Sequence, residues 1–365
     1  MKNTYGQSVS LTIFGESHGK AIGAVIDGLA PGICVDEEKI KKALAKRRPS
    51  SSIDTARSEN DNFEILSGVF NGKTTGTPIA IVILNENTKS SDYTYGPARP
   101  SHADYSGYCK YHGFEDYRGG GHFSGRITAA LVAAGAILST ALEGVGISIG
   151  THILSCDDVS DAEFSDIKKE IELLNNSDFP TISESSKDAI TQRILNAKEN
   201  KDSIGGITQT AVYGLPAGVG EPYFDSVEGA LSRALFAIGA IKGVEFGMGF
   251  SFGKKRASEC NDAFKIENGE IVTKTNNNGG VNGGISNGMP IVFQCAVKPT
   301  PSVSLSQQTV NFIENKETEI SIKGRHDPAI IRRICPVIDS VTALVMCDLL
   351  AQRYGTDVFL KGNIK

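Results

Sequence analysis

The stretch Arg126–Glu143, RITAALVAAGAILSTALE, is apolar on nearly every face of the helix it predicts. Val227–Ile241 and the later part of Pro328–Arg353 read the same way. A helix that is apolar all round must be covered on all sides, by lipid or by other layers of protein. No apolar run here reaches the roughly 18 residues of a membrane span, so the expectation is helices sandwiched inside a core. Short β-type runs supply the covering layers: Val9–Phe14, Ile79–Leu84, Val145–Ile149, Ile207–Tyr213, Val244–Phe250 and Ile291–Val297. Turn text such as Asn71-Gly72 and Asn277-Asn278-Gly279-Gly280 separates them. The expected class is mixed α+β, with buried helices and outer sheets. Pro336 is expected to kink or break the last helix. The polar region at about 155–201, with helices predicted over Asp161–Asn175 and Ser186–Asn200, reads as a helical insertion in a single domain of residues 1–365.

Charge narrows the function classes. The chain carries 37 Lys+Arg against 42 Asp+Glu, a net charge of −5, which argues against a general nucleic-acid binder. Seven widely spaced cysteines without a CxxC fit reduced thiols and argue against a disulfide framework or a zinc ribbon. The start, MKNTYGQSVSLTIFGESHG, lacks an apolar signal-peptide core, so a cytoplasmic location with no membrane partner is expected. No P-loop, HExxH, GxSxG or GxGxxG after a strand is present.

The chemistry-bearing residues gather in glycine-rich loop text. His18, His102, His122 and His326 lie in GESHG, RPSHAD, RGGGHFSGR and GRHDP, and loop residues of this kind more often face a site than fill a core. His152 follows an apolar run and reads as structural, and His112 leans the same way. Arg47, Arg48, Arg57, Arg99, Arg118, Arg126, Arg325, Arg332 and Arg333 fall in or beside the same loops. A guanidinium fork matches carboxylate and phosphate oxygens, so converging arginines imply a small polyanion. For Arg47-Arg48 the plain alternative is a basic helix end, because Asp36–Arg48 runs from acid to base. Gly119-Gly120-Gly121 opens into the Arg126 helix, where bare backbone N–H groups and the helix dipole suit an anion. A metal site from His102/Asp104 and His326/Asp327 has no recognisable ligand spacing.

Taken in order, GESHG (15–19), SGVFNGKTTGTPI (67–79), RPSHADY (99–105), DYRGGG (116–121), DSIGG (202–206), IKGVEFGMGF (241–250), GGISNG (283–288), KPTPS (298–302) and GRHDPAIIRR (324–333) resemble the chorismate synthase family. The resemblance covers nearly the whole chain. It implies a β-α-β sandwich with antiparallel sheets enclosing a layer of helices, usually as a homotetramer. It also implies a lyase that converts 5-enolpyruvylshikimate 3-phosphate to chorismate and phosphate by anti-1,4-elimination, with reduced FMN. NADPH would act only indirectly, through an external flavin reductase.

Residue by residue, the resemblance makes His18 the donor to the departing phosphate, His102 the histidine beside the flavin, and Asp327 an aid to proton transfer. Cofactor contacts would come from His122, Phe123, Ser124, Gly239, Ala240, Gly283, Lys298, Pro299, Thr300, Pro301, Ser302 and Arg325. Substrate contacts would come from Arg47, Arg48, Arg57 and Arg126, with Arg325 shared. His326 is expected to be a local hydrogen-bonding residue. This sequence departs from the family text at His122 and Phe123, which replace Arg and a small hydroxyl residue. Leu131 and Ile53 fall where Arg is usual, and Ala329 where Cys is common. Two alternatives stay open on these departures: a divergent flavin-dependent enzyme acting on another phosphorylated polyanion, and a catalytically silent flavin-binding protein.

Overall fold

The structure is a computed structural model that describes residues 2–51, 53–55, 60–86, 93–322 and 327–360. The chain opens with β1 (Thr4–Tyr5), β2 (Ser10–Gly15), β3 (Ala21–Asp27) and α1 (Glu37–Arg47). β4 (Phe63–Ser67), the hairpin β5 (Val69–Phe70) and β6 (Lys73–Thr74), and β7 (Ile79–Leu84) lead to α2 (Asp104–Tyr111) and α3 (Thr128–Glu143). Next come β8 (Ser148–Cys156), β9 (Val159–Ser160), α4 (Ile167–Asn176), α5 (Glu184–Glu199), β10 (Gly206–Tyr213), α6 (Val227–Leu235) and β11 (Ile241–Phe246). After α7 (Ala257–Cys260) follow the hairpins β12 (Phe264–Glu267) with β13 (Glu270–Thr273) and β14 (Val281–Asn282) with β15 (Ile285–Ser286). β16 (Ile291–Val297), the hairpin β17 (Gln307–Asn311) with β18 (Lys316–Ile320), and α8 (Ile331–Tyr354) complete the order.

Two five-stranded sheets carry the architecture, ordered β1-β2-β3-β7-β4 and β11-β16-β10-β8-β9, and each pairs antiparallel throughout. Their strands bury alternate residues, Ile79, Ile81 and Ile83 on β7 and Ile291, Phe293, Cys295 and Val297 on β16, as the period of two requires. The apolar helices fill the space between. α3 packs on α8 and reaches β3 and β7 of the first sheet, while α8 lies on β8 and β10 of the second. At Gly135 a methyl group would meet Ser340 Cβ at 2.2 Å, so α3 and α8 touch through bare backbone. The fold is α+β, with antiparallel sheets around buried helices.

Hydropathy along the helices corrects one expectation. Gly125–Glu143 and Ile331–Tyr354 are each long and apolar enough to cross a membrane, although 72% and 89% of an apolar 18-residue window in each is buried within the protein. They are core helices, covered by the two sheets and by each other. α6 is also shorter than the predicted 227–241 helix. It stops at Leu235, and Ile241 instead pairs with Val297 as the first residue of β11, so sheet pairing overrides helix propensity. Pro336 does not break α8. It lies in the second turn, where few helical hydrogen bonds precede it, and its carbonyl accepts from Ser340 Oγ at 2.6 Å.

Three polar groups pin the layers. His152 is fully buried between Asp161 and Gln209, both at 3.2 Å, which is the structural role expected of it. Asp339 on α8 accepts Thr151 Oγ1 at 2.6 Å, and burial pushes its carboxyl up to about 7. Asp348, further along α8, accepts backbone N–H groups from Gln7, Ser8 and Val9 at 3.0, 2.7 and 3.0 Å.

Candidate active site

The GESHG turn leaves β2 and is tied at once to the triple-glycine loop more than a hundred residues later. Ser17 N–H donates to Gly121 O at 3.0 Å, and His122 Nδ1 donates to Gly15 O at 2.8 Å. The glycines at 119, 120 and 121 all have positive φ, at 61, 83 and 55°, a backbone course that L side chains resist. At Gly119 a Cβ would lie 2.4 Å from His18 Cδ2 and 2.5 Å from Nε2. The imidazole of His18 therefore rests directly on the glycine backbone. It is 8% exposed and meets Tyr93 edge-on at 5.3 Å.

These loops form part of the wall of a cavity of about 530 Å³. The later motifs arrive through short bonds: Ser203 Oγ donates to Thr300 O at 2.7 Å, and Ile204 N–H to Pro328 O at 2.9 Å. Thus DSIGG, KPTPS and the end of GRHDP meet. Asp327 lines the cavity and accepts from Arg333 Nη1 at 2.6 Å and from Thr55 N–H at 3.2 Å. Thr300 and Ser302 also line it, and Thr300 Oγ1 is buried with no partner among the described residues.

The arginines arrive already organised. Arg47 at the end of α1 and Arg126 before α3 both bind the buried carboxylate of Asp61, Arg47 Nη2 at 2.6 Å and Arg126 through Nη1. Their side chains are 7% and 4% exposed. Burial alone would raise the Asp61 carboxyl, but the two guanidiniums hold it below the usual carboxylate range. Arg126 spends its remaining nitrogens on Asn85 Oδ1 and Leu84 O, at 3.0 and 3.2 Å. Arg48 donates to the Asn60 carbonyl at 2.6 Å, which leaves its charge without a carboxylate among the described residues. Arg47, Arg48, Arg99, Arg126 and Arg333 all line the cavity. The wall also carries the carboxylates of Asp104, Glu115, Asp116, Glu319 and Asp327, with Arg99 paired to Asp104 and Arg333 to Asp327, so the positive potential is local to Arg47, Arg48 and Arg126.

The remaining predicted residues divide. Phe123, Ser124 and Arg126 are on the wall, with Phe123 45% exposed and 6.1 Å from the Tyr111 ring. His102 stands just behind it, its ring 3.4 Å from where a Cβ of Gly120 would be. His122 is committed to the Gly15 carbonyl and is not part of the wall. Lys298 Nζ donates to Ser101 O at 2.7 Å, while exposed Pro299 and half-buried Pro301 bracket Thr300 without lining the cavity. Gly239, Ala240 and Gly283 are not brought to this cavity within the chain: Ala240 O accepts from Lys298 N–H, and Gly283 is exposed in the β14–β15 turn. Arg57, Arg325 and His326 lie outside the described residues. Of the departures, Ile53 is buried, Leu131 packs against the core and Ala329 is buried, so none of the three interrupts the cavity wall.

Sequence reasoning missed Asp61, which sits in the featureless text SENDNF, and the aromatic wall of Tyr93, Tyr95, Tyr117 and Phe312. Phe312, from the β17–β18 turn, meets Tyr95 edge-on at 5.6 Å. Among the described residues no group of three or more His, Cys, Asp or Glu could hold a metal.

Comparison with known proteins agrees with this arrangement. The family model described as chorismate synthase matches residues 9–351. A chorismate synthase of Pyrococcus abyssi is 46% identical over 351 residues, covering 95% of this chain and 97% of the relative. One from Dehalococcoides mccartyi is 44% identical over 354 residues, covering 96% of each. A solved structure titled "Crystal Structure of Chorismate Synthase" superposes with a TM-score of 0.75 at 28% identity, over 96% of this chain and 94% of that one. Motif order, fold and full-length similarity converge: the chain belongs to the chorismate synthase family.

Proposed function

We propose that the chain removes phosphate from 5-enolpyruvylshikimate 3-phosphate by anti-1,4-elimination to give chorismate, with reduced FMN bound. The observation that carries this is His18, seated on the bare Gly119 backbone in the wall of a cavity that five arginines also line. The substrate carries one phosphate and two carboxylates, and guanidinium forks are the side chains that match such oxygens. Arg48 and the Arg47–Asp61–Arg126 triad would hold them, the triad keeping a net positive charge. His18 would hand its proton to the departing phosphate, work suited to an imidazole at neutral pH.

The residues present fit a flavin. The cavity has a size typical of cofactor sites. Its wall includes half-exposed Phe123 and several tyrosines, and Thr300 Oγ1, buried without a partner among the described residues, would bond a polar ligand atom. Phe123, Ser124, Thr300 and Ser302 would hold the flavin, with His102 behind Gly120. When bound, reduced FMN supplies transient electron density to the substrate and takes the proton lost from carbon 6. Asp327, fixed by Arg333, would assist that proton's transfer. In this reading residues 1–365 act as one unit with the 155–201 region as an insertion. The enzyme is cytoplasmic and homotetrameric, and an external NADPH-dependent reductase reduces the flavin.

The test is anaerobic: protein, photoreduced FMN and 5-enolpyruvylshikimate 3-phosphate are mixed, and phosphate release and chorismate absorbance are followed. Turnover in the wild type and its loss in His18→Ala are expected. Folded wild-type protein that binds flavin without turnover would sink the reading and leave a divergent or silent flavoprotein.

A further inference from the structure

We propose that Asp104 is a positioning residue that fixes the tautomer of His102, and that Arg99 fixes Asp104 in turn. This rests on the role given to His102 above. Asp104 is the first residue of α2, two positions after His102, so the helix start carries the carboxylate back against the ring. His102 Nδ1 lies 2.7 Å from Asp104 Oδ1. Arg99 grips the same carboxylate three times: Nη2 to Oδ1 at 2.6 Å, Nε to Oδ2 at 2.8 Å and its backbone N–H to Oδ2 at 2.9 Å. Arg99 Nη2 also lies 3.1 Å from His102 Nδ1. A guanidinium can only donate, and so can a ring nitrogen facing a carboxylate. The 3.1 Å contact is therefore two donors converging on one oxygen, and His102 Nδ1 carries the hydrogen. That leaves Nε2 on the side facing the Gly120 backbone of the cavity wall, 3.5 Å from where a Cβ there would be.

The same geometry dictates what an isosteric change would do. Oδ2 receives two donors, both from Arg99. Oδ1 receives two as well, Arg99 Nη2 and the ring nitrogen, but of all four donors only the ring nitrogen can become an acceptor. In Asp104→Asn the amide oxygen therefore takes the Oδ2 position, where both donors are fixed, and Arg99 Nη2 gives up the other. The amide NH2 then points at His102 Nδ1, which has to become an acceptor, and the ring proton moves to Nε2. A small change in one carboxylate thus reverses the donor and acceptor ends of the histidine.

The experiment combines selective ¹⁵N-histidine labelling, read by magic-angle-spinning spectra of sedimented protein, with anaerobic turnover. The chain has six histidines, and a His102→Ala sample assigns the signal. Wild type should show the Nδ1–H form at His102, and Asp104→Asn the Nε2–H form. kcat should fall by about 10- to 100-fold in the Asn variant, with KM for the substrate changing less than about threefold. Asp104→Glu, which keeps an acceptor, should recover part of the rate and the Nδ1–H signal. An Asn variant that retains the Nδ1–H form, or that loses substrate binding at unchanged kcat, overturns the proposal. If His102→Ala abolishes turnover while Asp104→Asn stays fully active, the proposal fails and the role of His102 survives. If His102→Ala is fully active, both fall.

Discussion

Replacing Gly119 with alanine separates two effects that usually travel together. The backbone there has φ of 61°, and alanine in the left-handed region costs about 1–2 kcal/mol. Part of this is offset, about 0.4–1 kcal/mol, by the stiffer unfolded chain. The new methyl would also sit 2.4 Å from His18 Cδ2 and 2.9 Å from Ser17 Oγ. Carbon atoms pack at about 3.5 Å, so the imidazole has to retreat by about 1 Å. A displacement of that size can cost about 100-fold in rate. Two controls isolate the terms. Gly72 has φ of 70° but nothing within 4 Å of an added Cβ, so Gly72→Ala carries the backbone cost alone. Gly253 has open space and no positive φ, so Gly253→Ala carries neither. Urea unfolding should show the backbone loss alone, about 0–1.6 kcal/mol, for Gly72→Ala. Gly119→Ala should lose about 1–3 kcal/mol more by overpacking against His18, and Gly253→Ala should change little. Anaerobic turnover should fall about 100-fold for Gly119→Ala only. If Gly119→Ala turns over within about threefold of Gly72→Ala, His18 is not placed for the reaction and the argument from this contact is wrong.

Asp61→Asn leaves Arg47 and Arg126 buried without their shared carboxylate, and the expected loss in urea unfolding at pH 7 is about 3–5 kcal/mol. The Asp61 carboxyl is held below its ordinary value, so its contribution is complete above the unfolded carboxylate range and fades as pH falls through the folded value. The gap between wild type and variant should accordingly close in acid. Asp339 has the opposite sign: its carboxyl is raised to about 7, so the wild type loses stability as pH rises from about 4 to beyond 7. Asp339→Asn keeps an acceptor for Thr151 and should be more stable than wild type at pH 8 by about 1–2 kcal/mol, the full linkage value being reduced because the cleft beside Asp339 is open to solvent. Equal stability of the two proteins at pH 5 and pH 8 would contradict this.

The buried helices were legible because an apolar circumference has one physical solution. α3 and α8 announce themselves in the composition of a single stretch. β3, with the small residues Ala21, Gly23 and Ala24, carries no such signal and becomes a central strand by pairing with β2 and β7. The β17–β18 hairpin is polar text whose value lies in delivering Phe312 to the cavity. At the site, the histidines and arginines stand out by type and by their glycine neighbours. Their partners do not: Asp61 reaches Arg126 from 65 residues away, a relation only the folded chain creates. Arg126 was expected to face the substrate, and the structure shows it lining the cavity with three of its nitrogens already engaged. The loops supply recognisable chemistry, and tertiary contacts decide how much of it remains available.

The bond from Asp348 to the N–H groups of residues 7–9 has a consequence for the order in which this protein can be made. The first strands leave the ribosome early, yet the carboxylate that anchors them belongs to nearly the last helix. α3 waits too, since α8, the helix it packs on, begins roughly 190 residues after it ends, an interval of about 10–40 s at ordinary rates of translation. Through that interval a stretch as apolar as a membrane span is without its final cover. Nascent chains of this protein should therefore depend on chaperones until synthesis is almost finished, and losing the C-terminal helix would release the connection between the first two strands as well as uncover the core.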